Sequence, residues 1–306
     1  MSKQRKLSYL FSILWVAILF AAIMGAVATG VINSYYSGIL VLIGINIILA
    51  VSLNLVTGFL GQLVLGHAGF MSVGAYSAAL FTMHAGLPIS VAFPLGLIFG
   101  GLVAAIFGVI IGVPALRLRG DYLAIITLGF GEIIRVLVLA VDFTGGAAGL
   151  TGIPYIEGKY TLIIYTFFIA FLTVVAILAF IRSRHGRAVI AIREDEIAAE
   201  ASGINTTYYK LLAFVVAAFF AGVAGGIYAH YIGVLDPSKF DFNYSVEILI
   251  MVVLGGMGSI TGSVCSATVL TLLPEMLRSF ADKRMLIYSL VLIIVCLLYT
   301  SDAADE

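Results

Sequence analysis

Residues 161–181 read TLIIYTFFIAFLTVVAILAFI, and the chain runs straight on into RSRHGRAVIAIREDEIAAEASGINTTYY over 182–209. The first string carries no charge and is long enough, as a helix, to cross a hydrocarbon core of about 30 Å. The second is the longest charged segment in the chain. A span that opens into a charged loop belongs to a polytopic membrane protein, and the remaining sequence repeats its apolar half.

Working outward, comparable runs occupy 7–29, 37–57, 91–115, 122–142, 210–233 and 285–300. Two others are interrupted: 63–83 carries Gly66, His67, Gly69, Ser72 and Gly74, and 244–277 is cut by Gly255-Gly256-Met257-Gly258-Ser259 into two shorter crossings. The expected fold is all-α, with about ten transmembrane helices in one domain over 1–300 and a polar tail over 301–306. Composition agrees, since 62% of the 306 residues are apolar and 10% are charged; soluble domains carry about 25% charge. No polar shell remains for a cytosolic enzyme, and 16 basic against 16 acidic residues leave no surplus to draw nucleic acid. Cys265 and Cys296 sit in apolar runs and read as small buried hydrophobes.

The run 7–29 exceeds the 7–15 residues usual for a signal h-region and reads as a retained first helix. Basic residues fall in alternate loops: Lys3, Arg5 and Lys6; Arg117 and Arg119; then Arg182, Arg184, Arg187, Arg193 and Lys210. The positive-inside rule places these on the cytoplasmic face of a plasma membrane with the amino terminus inside, and the Gly-rich loop 143–160 outside. Arg278, Lys283 and Arg284 fall outside on the same count, against the rule.

Polar side chains inside spans need a partner or a task. Glu132 and Arg135 stand three apart on one helix face, so they read either as an internal ion pair or as residues along a substrate path. Asn46, Asn54, Gln62 and His67 cluster where Gly58, Gly61, Gly66 and Gly69 break the helical pattern. Broken helices at membrane depth line a cavity or lie buried in protein, so these four are pathway candidates or packing glue. His67 without a second ligand reads as a hydrogen-bonded core histidine rather than a metal site. The pairs Gly96/Gly100, Gly108/Gly112 and Gly222/Gly226 read as close helix crossings.

In the loop 182–209, Glu194, Asp195 and Glu196 suit the first turn of a short helix, Gly203 its C′ position, and Asn205 or Thr206 the cap of the next span. The segment reads either as a solvated loop helix or as a docking element, since Ile192, Ile197, Ala198, Ala199, Ala201 and Ile204 form a small apolar surface with no membrane to enter, of the kind that docks in another protein's groove. The loop resembles the coupling loop of ABC-importer permeases, Glu-Ala-Ala, three residues, then Gly: Ala198, Ala199 and Gly203 match, while Ile197 stands where the acid is expected and Glu196 precedes it.

Other stretches resemble the LivM-type permease subunits of branched-chain amino-acid ABC importers. They are Leu55-Val56-Thr57-Gly58 with Gly61-Gln62-Leu63 and Gly66-His67-Ala68-Gly69-Phe70, Leu118 to Ala124, Thr144 to Pro154, and Leu254 to Ser259. The resemblance implies an ABC importer permease fold in a bacterial inner membrane. It also implies a second homologous permease, two ATPase subunits that hydrolyse the ATP, and an extracytoplasmic binding protein. On it, Arg193, Glu194, Asp195, Glu196, Ala198, Ala199 and Gly203 form the ATPase-coupling segment, and Gly145, Gly146, Gly149, Gly152 and Pro154 are candidates for meeting the binding protein; on residues alone the latter stretch is equally a turn between spans.

The family continues past its last span with a basic tail, so a truncated last helix and a non-native acidic tail, 301–306, are expected here. No Gly-rich loop ending in Gly-Lys-Ser/Thr occurs, so ATP and any other cofactor are expected on partners, not on this chain. A gradient-driven secondary transporter is the competing class, and urea or short amides are competing substrates.

Overall fold

The computed structural model describes residues 34–118, 120–156 and 160–277, together with Ser289 and Ile293. The expected span 7–29, nearly all of 285–300, the basic residues Lys3, Arg5, Lys6, Arg119, Arg278, Lys283 and Arg284, Cys296 and the tail 301–306 lie outside the described residues.

The elements in order are α1 (Ser34–Asn54), which runs on into a π turn (Leu55–Phe59), α2 (His67–His84), α3 (Ile89–Ala115), α4 (Asp121–Ala140) and α5 (Thr161–Arg182). Then follow α6 (Arg184–Glu194), α7 (Glu196–Ala201), α8 (Thr206–Ile232), α9 (Phe242–Leu254) and α10 (Ile260–Met276). Among the described residues five helices are long and apolar enough to cross a membrane: Tyr35–Phe59, α3, α4, α5 and α8. The chain is thus an all-α polytopic membrane protein with the helices placed where apolar run length puts them.

Helix α2 differs in kind. It carries glycine, serine and histidine because it faces protein and not lipid: 13 of its 18 residues are buried. Helices α3 and α8 clasp it, and all three approach backbone to backbone. A Cβ on Gly74 would fall on the backbone of Gly222, one on Gly225 would fall on the Met71 carbonyl, and one on Gly100 would lie 2.6 Å from the Gly74 carbonyl oxygen. Small residues are what permit such crossings, and the six glycines of the predicted pairs all lie at helix contacts. The outer face of α3 shows the converse, since Ile98, Leu102, Ile106 and Ile110, at helical spacing, point out of the bundle. Cys265, expected to be buried, is exposed on α10, because that helix packs through Ile260, Ser263, Ala267 and Leu270 instead.

One end of the bundle gathers the basic loops: Leu211 and Phe214 at the start of α8 touch Gly112 at the end of α3, and Arg193 reaches the π turn of α1. At the opposite end Leu150 and Leu235 exchange two backbone hydrogen bonds of 3.0 Å, and Thr82 bonds His230 at 3.0 Å.

The two interrupted regions hold the surprise. Helix α2 starts only at His67, after an irregular stretch with Leu60, Val64 and Gly66 buried. After α8 the chain turns back into the bundle. Leu235 and Phe240 are buried, the Tyr76 hydroxyl donates to the Leu235 carbonyl (3.1 Å), and Tyr76 lies eight residues, about 12 Å, before the end of α2. Helix α9 then begins beside the start of α2, where the Ala68 N–H donates to the Ser245 hydroxyl (3.2 Å). At 13 residues α9 is roughly 20 Å long, two thirds of a hydrocarbon core, so of the two short crossings expected in 244–277 it is a half-helix that starts inside the bundle.

Candidate functional site

Three features at and above the basic end are built from breaks in helices: a projecting helical tip, a seam under it, and a crevice above the seam.

The tip is the segment 182–205. The single short helix expected there is two, because Asp195 adopts an extended conformation (φ −157°, ψ 110°) and ends α6 while its carboxylate accepts the Ile197 and Ala198 N–H groups (2.8 and 3.0 Å) to start α7. Glu194 therefore closes α6, Asp195 caps α7 and Glu196 lies in its first turn. The far end of α7 is closed as the sequence suggests. Gly203 (φ +83°) donates to the Glu200 carbonyl (2.9 Å), and Ile204 to the Ala199 carbonyl (3.1 Å), the paired bonds of a Schellman cap. Asn205 caps α8 by accepting the Tyr208 N–H (3.1 Å).

Of the expected apolar surface, Ile192 and Ala199 turn inward, while Ile197, at 73% exposure, projects with Ala198 and Ala201. The tip is moored by Lys210, 3% exposed, whose ammonium lies 2.7 Å from the Glu196 carboxylate.

The seam joins α1 to the turn between α9 and α10. The Asn54 amide donates to the Ser259 carbonyl (3.0 Å) and the Ser263 hydroxyl (2.8 Å), and its oxygen accepts the Gly258 N–H (2.9 Å). Gly58 in the π turn has no room for a side chain, since a Cβ would overlap the Asn54 oxygen and the Gly258 nitrogen. Asn54→Ala removes all three bonds and leaves the half-buried Gly258 N–H without its partner; the expected cost is about 1–3 kcal/mol, read as a lower melting temperature of the purified chain. An unchanged melt would show that the seam adds nothing to stability.

Above the seam, the starts of α2 and α9 meet α4 around a narrow crevice of about 10 Å³, space for about one water, lined by Gly69, Gly131, Glu132, Phe240, Asp241 and Ser245 among others. The irregular backbone there is satisfied by hydroxyls: Thr127 on α4 accepts the Leu65 N–H (3.1 Å) and Ser245 accepts that of Ala68. Asp241 caps α9 by accepting the Tyr244 N–H (3.0 Å). Glu132 accepts a 2.7 Å hydrogen bond from Arg135, the ion pair read from their spacing, and it also lines the crevice.

The other pathway candidates separate. Asn46 ties α1 to α10 and α9, donating to Thr271 (2.8 Å) and accepting the Tyr244 hydroxyl (3.2 Å). His67, 2% exposed, bonds the Ser52 hydroxyl at 2.9 Å as a core histidine. Gln62 lies half-buried in the irregular stretch, its N–H on the Val56 carbonyl (3.0 Å).

At the opposite end Gly145, Gly146, Gly149 and Gly152 all have positive φ. They shape two tight turns that hold Leu150 against Leu235, and Pro154 follows half-buried; Phe143 and Tyr155, about 70% exposed, are the large side chains that project there. Sequence reading missed Thr127, Ser245, Asp241 and the Lys210–Glu196 pair. A hydroxyl inside an apolar run was the available signal for Thr127 and Ser245.

The model of the family described as branched-chain amino acid transport system, permease component, matches residues 35–299. The LivM high-affinity branched-chain amino acid transport system permease protein of Salmonella typhimurium is 40% identical over 273 residues, covering 79% of this chain and 63% of that protein. The corresponding LivH permease protein of Escherichia coli is 32% identical over 136 residues, 43% of this chain and 44% of its own length. The NupC nucleoside ABC transporter permease protein of Lactococcus lactis is 30% identical over 190 residues, 55% of this chain and 59% of that one. The chain thus spans a little under two thirds of the LivM protein it matches.

Proposed function

Because this chain belongs to the family of branched-chain amino acid transport system permeases, we propose that it is the membrane-spanning permease subunit of an ATP-driven importer for branched-chain amino acids. The match across residues 35–299 carries the reading. It works by alternating access in a bacterial plasma membrane, with the amino terminus and the α6–α7 tip in the cytoplasm. Its partners are a second permease, two ATPase subunits and an extracytoplasmic binding protein. The likeness to both LivM and LivH supports the second permease. The missing phosphate-binding loop supports ATPases on separate chains. Substrate passes between α2, α4 and α9 when alternating access widens the crevice there, which is closed to an amino acid in this conformation, and the second permease shields that side from lipid by covering the apolar residues Ile133, Val136 and Leu137 beside Glu132.

The test is reconstitution of the chain with its genomic neighbours in vesicles. Uptake of leucine that requires ATP and the binding protein is expected, and uptake by this chain alone without ATP refutes the reading. The likeness to NupC makes a nucleoside the competing substrate, so labelled uridine is run beside leucine. Within the same preparation, Ile197→Asp is expected to reduce ATPase co-purification at least tenfold, about the effect of losing one interface hot spot. Its melting temperature stays unchanged because Ile197 buries little. Retention of the ATPases by that variant removes the tip from the contact.

A further inference from the structure

Arg193, at the end of α6, reaches into the seam. Its Nη1 donates to the Gly58 carbonyl at the end of the π turn (2.8 Å). The same nitrogen stands 3.0 Å from where a Cβ on Gly258 would be, and the side-chain stem lies over Gly61, whose φ of +74° bends the chain away from α1. Gly58 and Gly258 are themselves joined through Asn54. One guanidinium therefore touches both turns of the seam from the last turn of α6.

We infer that Arg193 is a positioning residue: it is the strut through which displacement of the α6–α7 tip is delivered to the seam between α1 and the α9–α10 turn. Glu196, moored to Lys210, carries the same displacement to α8, but α8 is a continuous helix, whereas the seam is the place where α1 and α9 are broken. A break supplies the second arrangement that coupling needs, and a charged hydrogen bond to one side of it biases the choice. A lysine ammonium keeps the charge but sits on a shorter reach and a more mobile stem, so it replaces the guanidinium only in part. The inference rests on the functional reading given above.

Two measurements test it. In the full complex in vesicles, uptake and ATP hydrolysis are recorded together for Arg193→Ala, Arg193→Lys and Arg193→Gln. Uptake per ATP hydrolysed is expected to fall roughly tenfold in Arg193→Ala, the scale of a typical coupling energy, with partial recovery in Arg193→Lys. A proportional fall in both rates, no change in either, or failure of all three variants to assemble overturns the strut. The second measurement needs no transport: in a chain carrying Cys265→Ala and Cys296→Ala, spin labels at Ala198→Cys and Met257→Cys, both exposed, report the distance from tip to seam. A narrow distribution that broadens in Arg193→Ala is expected, and an unchanged one overturns the inference. If instead the unmutated complex takes up substrate without ATP, the functional reading falls while the spin-label result still judges the strut.

Discussion

Replacing Gly74 with valine is expected to leave almost no folded protein in the membrane fraction. At this point α2 touches α8 and α3 through backbone atoms: the added Cβ would fall on the carbonyl and Cα of Gly222, and Gly100 of α3 stands over the Gly74 carbonyl itself. A side chain overpacked against another side chain escapes by changing rotamer, at about 1–3 kcal/mol. Here the obstacles are main chain, so α2 or α8 would have to move as a whole. The penalty should exceed about 3 kcal/mol, a large share of the 5–15 kcal/mol that holds a typical protein together. Gly129 in α4 supplies the control, because nothing stands within 4 Å of its Cβ position and its backbone is helical. Gly129→Ala should match or exceed the parent in melting temperature, as alanine gains up to about 1 kcal/mol over glycine in a helix. Size-exclusion profiles in detergent compare the three proteins, and a monodisperse, normally melting Gly74→Val would refute the close packing of α2.

The second large effect is expected from Glu196→Ala. Lys210 is 3% exposed, and its ammonium lies 2.7 Å from a carboxylate that retains 21% of its own exposure. Removing one member of a buried pair costs about 3–5 kcal/mol, because the remaining charge keeps its desolvation penalty. The partial exposure of Glu196 lowers this to about 2–3 kcal/mol, by water reaching the ammonium. The distinguishing variant is Glu196→Ala with Lys210→Met, which removes both charges and keeps the length of the buried stem; it should recover most of the lost stability. Thermal unfolding of the four proteins in one detergent gives the cycle, and additive losses would show that the two side chains do not interact.

How much of this was legible in the sequence depends on the physics behind each element. The continuous spans, α3, α4, α5 and α8, come from run length against bilayer thickness, and that is a property of one segment at a time. The caps at Gly203 and Asn205 are equally local, each decided by a few residues of backbone geometry. Asp195 shows where local reasoning slipped: three acids in a row favour a helix start, and which of them caps depends on where α6, packed inward through Ile192, has to stop.

The candidate site divides in the same way. That Asn54, Gly58 and Gly258 matter was visible as a polar residue and two glycines in apolar runs. That they meet was not, because Asn54 and Gly258 stand 204 positions apart and no local pattern encodes a long-range contact. Arg193 was legible as part of a coupling segment by resemblance, but its inward direction was not.

The amino-acid sequence by itself determined that this chain lives in a bilayer, where its continuous apolar helices lie, and which loops carry the positive charge, since transfer free energy and charge placement sum residue by residue. Tertiary structure alone decided that the segment after α8 turns back into the bundle and that α9 starts there as a half-helix. It also decided which broken ends share a seam. Those outcomes rest on the Tyr76 and Ser245 hydroxyls and the Asn54 amide bonding the backbone of segments far away in sequence, an arrangement that exists only once α1, α2 and α9 are packed together.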